Sequence, residues 1–176
     1  VETKQDIMKA PTNNAEAYEY YLKAKFNFDR YKKLLDNQDL QITRELLQKS
    51  IELDENLLAA NILLGQTYLR DEANDGKINE STIKARNIYE HTLKQAERLG
   101  DKLWLGRSLR NIGNTYWEVE NDKAYDYYLR SLKINNELGD KLGMRHSLHN
   151  IGNIYSYKGD VDKSTDYHLR SLRISE

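Results

Sequence analysis

At 176 residues, with 39% hydrophobic and 31% charged side chains, the chain suits a wet assembly of amphipathic helices better than one large globular core. Lys and Arg number 27 against 28 Asp and Glu, for a net charge of -1. That balance removes the global positive field that nucleic acid or an anionic membrane would require, and neither is expected as a partner. The absence of cysteine excludes disulfides, thiolate catalysis and thiolate metal sites. It is compatible with a reducing compartment, so a cytoplasmic location is expected. No apolar run approaches the ~18 residues of a membrane helix, and the polar start VETKQDIMKAPTNN is not a signal peptide.

Residues 1–13 read as a linker or the end of a preceding element, and a chain opening on Val1 is expected to be excised from a longer one. After the single proline, Pro11, the residues Thr12, Asn13 and Asn14 can cap a helix beginning near Ala15. In that helix Tyr18, Tyr21, Leu22, Lys25 and Phe26 recur at helical spacing. The pattern returns in QITRELLQKSIEL at Ile42, Leu46, Leu47, Ile51 and Leu53, giving a first helix pair. A second pair is predicted from NLLAANILLGQTYLR and STIKARNIYEHTLKQAERLG, separated by a Gly/Asn/Asp-rich loop from Asp71 to Glu80 and closed by Gly100. A third and a fourth follow, each opening on an aspartate, Asp101 or Asp140, directly after a glycine suited to ending the preceding helix. No segment sustains strand alternation, so the fold class is all-α.

The last two pairs nearly repeat. Asn-Ile-Gly-Asn stands at Asn111 and Asn150, and Leu-Gly-Asp-Lys-Leu at Leu99 and Leu138, both pairs 39 residues apart. Small residues recur at Gly65, Gly113 and Gly152 in first helices and at Ala85, Ala124 and Ser164 in second ones. Aromatic rings follow at fixed offsets: Tyr68, Tyr116 and Tyr155 three residues on, and Tyr89, Tyr128 and His168 four residues on. A glycine inside a helix costs about 0.5–1 kcal/mol relative to alanine, so its reuse implies close approach of paired helices.

With these residues the chain resembles the tetratricopeptide repeat, from about Asn14 to Glu176, in four repeats of about 14–54, 55–99, 100–138 and 139–176. The resemblance rests on Leu109, Gly113, Tyr116, Ala124, Tyr128 and Ser131, and on Leu148, Gly152, Tyr155, Ser164, His168 and Ser171. Leu64, Gly65, Tyr68, Ala85, Tyr89 and Thr92 match likewise; the first copy departs, with Ala24 and Leu47 in place of glycine and aromatic. The proline that usually closes each repeat is absent, and the period exceeds the common ~34. This looks like the long-period subclass seen in kinesin light chains and many bacterial signalling proteins. KAPTNNAEAYEYYLKAKFNFDRY and LQKSIELDENLLAANILLGQTYL resemble the tetratricopeptide region of bacterial nucleotide cyclases, protein kinases and winged-helix regulators. The resemblance implies a right-handed superhelical solenoid whose first helices line a concave groove for a peptide or protein segment.

Counting from the Leu/Gly positions, the third copy should turn Arg107, Arg110, Asn111, Asn114 and Trp117 to that groove. The fourth should turn His146, His149, Asn150, Asn153 and Tyr157; the second Ile62, Gln66 and Arg70; and the first Tyr21, Lys25 and Phe28. Because these residues include no carboxylate, an acidic ligand is expected, with Glu118 at the groove's edge opposing it. Asn111, Asn114, Asn150 and Asn153 would form a ladder of amides, each able to donate to and accept from a peptide backbone. The alternative is that Asn111 and Asn150 bond a neighbouring helix. His146 and His149 form a His-x-x-His pair with no further ligand pattern, so no metal is expected. As groove residues they would make affinity pH-dependent. His168 reads as core and His91 as solvated. NDGKIN at Asn74 lacks the geometry of a phosphate loop, and no Ser/His/Asp set has a motif context, so neither a cofactor nor catalysis is expected. A structural spacer, or a homodimer through the terminal repeat, is the rival to peptide binding.

Overall fold

The computed structural model describes residues 12–70, 79–117 and 119–174, which form eight helices and no strand. Pro11, nearly all of the 71–80 loop, Glu118 and Glu176 lie outside the described residues. The chain divides into two compact units, Val1–Arg70 and Asp71–Glu176.

In the first unit, α1 (Ala15–Leu34) starts where the Asn14 side chain accepts from the Ala17 backbone N–H. It buries Ala17, Ala24, Phe28 and Tyr31 against α2 (Asn37–Leu53), whose inner face is Leu40, Thr43, Leu47 and Ser50. The expected stripe through Leu22 and Phe26 is wrong: they are 45% and 67% exposed. Alanines occupy the contact instead, which lets Ser50 Oγ reach the Ala17 carbonyl at 2.7 Å. Asp39, also on α2, is buried and paired with Arg30, whose hydrogen bonds hold its carboxyl below the usual carboxylate range. α3 (Leu58–Tyr68) packs on α2 and α1 and is apolar on nearly every side, with Leu58 to Gly65 buried without interruption and Asn61 the polar residue among them, as a helix so apolar must be.

The second unit runs α4 (Glu80–Leu99), α5 (Lys102–Tyr116), α6 (Asn121–Leu138), α7 (Lys141–Tyr157) and α8 (Val161–Arg173), each packed on the next, with α5 also touching α7. Gly-Asp steps make three of their four junctions, all but α5 to α6. Gly100, Gly139 and Gly159 take left-handed φ values of 68°, 69° and 77°, a conformation that favours glycine at a helix end. Asp101, Asp140 and Asp160 follow, their carboxylates accepting from the backbone N–H groups of Trp104, Gly143 and Lys163. Each dipeptide thus ends one helix and starts another.

Inside the pairs the small residues work as predicted. A Cβ at Gly113 would stand 2.6 Å from the Tyr128 ring, and one at Gly152 2.8 Å from His168. Ser131 Oγ donates to the Gly106 carbonyl and Ser171 Oγ to that of Arg145, at 2.8 and 3.0 Å, repeating the Ser50 bond of the first unit. Ala124, Tyr128, Ile151 and Ile154 form the core here, with Trp117, Tyr125 and Tyr155 packed on it. No helix among the described residues is long and apolar enough to cross a membrane.

Candidate functional site

Along the faces of α5 and α7, Asn114, Trp117, Tyr128, Asn150 and Asn153 line a cleft of about 150 Å³. Drug-sized ligands fill pockets of roughly 300–1,000 Å³, so this cleft takes a side chain or a short length of backbone. Its polarity is set by Asn114, whose Oδ1 accepts from the Tyr128 hydroxyl at 2.8 Å and from Asn150 Nδ2 at 3.0 Å. With both lone pairs of that oxygen engaged, Asn114 presents its NH₂ and Asn150 its carbonyl oxygen. A donor and an acceptor thereby sit side by side on adjacent first helices. Asn153 is half-buried beside them. Trp117 meets the exposed Tyr157 edge to face, with ring centroids 6.0 Å apart.

Asn111 does not join the ladder. It is buried at 3% exposure and donates to the Arg107 carbonyl of its own helix at 2.9 Å. The neighbouring-helix alternative fails for it as well, whereas Asn150 does bond across helices. Asn111 precedes Asn114 by three positions, and the 100° advance per residue places it far enough round α5 to face the protein interior. Phe28 and Ile62, expected on the groove, are core residues at 4% and 6% exposure.

The cations stand nearer the start of α5. Arg107 lies over the Trp104 ring, 4.6 Å from its centroid. Arg110 is half-buried and makes no hydrogen bond or ion pair among the described residues. Burial pulls its guanidinium below the ordinary arginine range, and the charge of Arg107 adds to the effect; Asp140, Tyr128 and Tyr89 oppose it. Asp140 is the carboxylate that the groove residues lacked, although it also caps α7. His146 is exposed, and desolvation, then Arg110, Arg145 and His149, lower its pKa against the pull of Asp140. His149 is lowered by desolvation and by His168, whose ring lies 5.1 Å away. His168 is half-buried against Gly152, and His91 is exposed on α4. Among the described residues no group of three or more His, Asp or Glu could hold a metal ion.

Gln66 is half-buried on α3 and Arg70 is exposed at its end, both in the first unit; the Arg70 carbonyl accepts from the Tyr31 hydroxyl at 3.3 Å. Tyr21 is half-buried and Lys25 exposed on α1. Tyr128 belongs to the repeat pattern and is absent from the expected groove residues, yet it orients the amide pair. The signal for this was available, because a buried tyrosine hydroxyl needs a partner and Asn114 is the polar residue next to Gly113, the glycine on which the ring packs. Burial raises the Tyr128 pKa, with Arg110 and then Asn150 opposing, so the phenol stays protonated and donates.

No protein-family model and no curated protein match the chain. Among solved structures it is similar to BtubC (BKLC) from P. vanneervenii, at 16% identity and a TM-score of 0.51, covering 90% of this chain and 72% of that one. The likeness is one of fold, and it identifies the chain as a helical repeat-like all-α protein.

Proposed function

We propose that the chain is a non-catalytic interaction module of the tetratricopeptide type that holds an extended acidic peptide segment along α5 and α7. The observation that carries this reading is the Asn114–Asn150 pair: its oriented donor and acceptor match one peptide unit, and Arg110 lies nearby with no carboxylate among the described residues hydrogen-bonded to it. An extended chain advances about 3.3 Å per residue while packed helices lie about 8–10 Å apart, so successive first helices would meet roughly every third ligand residue. Arginine is suited to the ligand's charges because its planar fork pairs bidentately with carboxylates. The resemblance of residues 9–31 and 47–69 to regions of bacterial signalling proteins supports a docking arm within such a protein.

Fluorescence anisotropy with acidic, neutral and basic peptides of equal length, at low and raised salt, tests the reading. Acidic peptides should bind best, lose affinity as salt screens the arginines, and depend on Arg110, Asn114 and Asn153. A preference for basic peptides, or affinity untouched by alanine at all three positions, would overturn it.

A further inference from the structure

A second concavity lies away from the asparagine cleft, on other residues of the same unit. It measures about 580 Å³, and its apolar surface is made by Leu129 and Leu132 of α6, Met144 and Leu148 of α7, and Ile174 just past α8. Leu148 is 3% exposed and forms the floor, while Leu129, at 36%, lies open on one bank. Lys133 stands on that bank and Arg170 and Arg173 on the other, and no Asp or Glu among the described residues lines the groove. Lys133 and Arg173 make no ion pair among the described residues, and Arg170 meets Asp166 at 3.5 Å and lies over the Tyr167 ring 4.9 Å from its centroid, both on its own helix.

The chain carries an internal control for this composition. Equivalent bonds from Ser131 to Gly106 and from Ser171 to Arg145 place α8 40 residues after α6, and the Ala85 and Ala124 positions place α6 39 after α4. In that register Arg170 and Arg173 repeat Arg130 and Lys133, so the cations persist from one repeat to the next. On the facing helix, however, Leu129 and Asn136 stand where α4 has Glu90 and Glu97. At this seam the carboxylates are gone, one replaced by an apolar side chain, and the cations remain.

We propose that this groove docks an acidic amphipathic helix from a partner protein, which supplies the missing carboxylates. The occupant's conformation follows from the lining. Among the described residues Asn136 is the one amide side chain there, too little to satisfy an extended backbone, so the occupant must satisfy its own, as a helix does. From residue 129 to 136 of α6 the bank runs about 10 Å, two helical turns. Apolar residues at i, i+3 or i+4, and i+7 would cover the floor, and flanking acids would reach cations on both banks. The surface is distinct from the asparagine cleft and stands without the peptide-binding reading.

The test is to pan a display library of helical 18-residue peptides on the 176-residue chain and to measure the selected peptides by anisotropy. Selected sequences should combine that apolar spacing with flanking Asp or Glu. They should lose at least tenfold in affinity to Leu129→Glu and to Arg173→Glu, weaken with salt, and keep their affinity for Asn114→Ala. Thermal melts of the variants by circular dichroism confirm that the fold survives at these surface positions. Failure to select a binder, enrichment of basic helices, or indifference to both substitutions would each overturn the proposal. So would sedimentation showing a dimer of this chain that Leu129→Glu dissolves, because the occupant would then be a second copy. Indifference to Asn114→Ala here, with loss of acidic extended peptides in the same variant, separates this site from the cleft.

Discussion

Arg86 lays its guanidinium 3.8 Å from the centroid of the Tyr116 ring and also grips the residue beside it, Nε donating to Thr115 Oγ1 and Nη2 to the Thr115 carbonyl, each at 3.0 Å. The first unit repeats the device, with Arg44 over Tyr68 at 4.4 Å and bonded to Thr67 through the same atoms. It ties a second helix to the first helix that follows. At the α6–α7 seam the equivalent residues are Tyr125 and Tyr155, which meet edge to face at 5.9 Å.

Because the lock combines two directed hydrogen bonds with stacking, lysine should not replace it. Arg86→Lys is expected to lower stability by about 1–2 kcal/mol, from hydrogen bonds worth ~0.5–1.5 kcal/mol each and a cation–π contact of ~0.5–1. Urea denaturation followed by circular dichroism measures it. A midpoint equal to wild type would show that the lock adds nothing in solution.

Glycine substitutions should separate the two helix pairs. At Gly113 a new Cβ meets Tyr128, which is 2% exposed and has no room to move. At Gly152 it meets His168, which is half-buried and can swing outward. Gly113→Ala is expected to cost on the order of 1–3 kcal/mol by overpacking, and Gly152→Ala less, offset by the ~0.5–1 kcal/mol that alanine gains in a helix. Leucine at either position should destabilise strongly, and Lys94→Ala should stay within about ±0.5 kcal/mol. Melting temperatures of the set check the ranking.

The stability of the second unit should fall as the solution is acidified below about pH 6.5, the ordinary histidine value. His146 and His149 bind protons less readily folded than unfolded, so the unfolded state takes up more protons and stability rises with pH across that window. The stability present above the unfolded value is lost as pH falls through the lowered folded ones. Melting temperatures measured from about pH 7.5 to 5 should show the fall, and it should shrink in His146→Gln and His149→Gln.

Two asparagines three residues apart should give opposite results. Asn114→Ala removes the amide that Tyr128 and Asn150 orient, so acidic-peptide affinity should drop about tenfold, the equivalent of ~1.4 kcal/mol. Asn111→Ala removes a buried side chain bonded to its own helix; it should lower the melting temperature and leave the affinity of the folded protein unchanged. Anisotropy titrations and thermal melts on the same preparations distinguish the two.

Much of this architecture was legible because it is written in local chemistry. The Gly-Asp steps predict where helices end and begin, since a left-handed cap and a carboxylate acceptor act within a few residues of the chain. The recurrence of Gly113 and Gly152 predicts close helix pairs, since each needs only the ring across from it. Periodicity was less reliable where helices touch through small side chains. On α1 the conspicuous Leu22 and Phe26 drew the stripe, and the true contact ran through Ala17 and Ala24, which carry little hydrophobic signal.

The candidate cleft shows the same division more sharply. By itself the sequence determined that α5 and α7 carry matching Asn-Ile-Gly-Asn motifs and that arginines precede them, because repeats and composition are properties of the chain. Only the tertiary structure decided which amides meet. Asn111 and Asn114 have the same side chain on the same helix, and the rotation of α5 against α6 turns one inward and brings the other to Tyr128 and Asn150. The open groove above Leu148 depends still more on packing: it arises where α6, α7 and α8 leave space between them, and no single segment encodes a distance between helices.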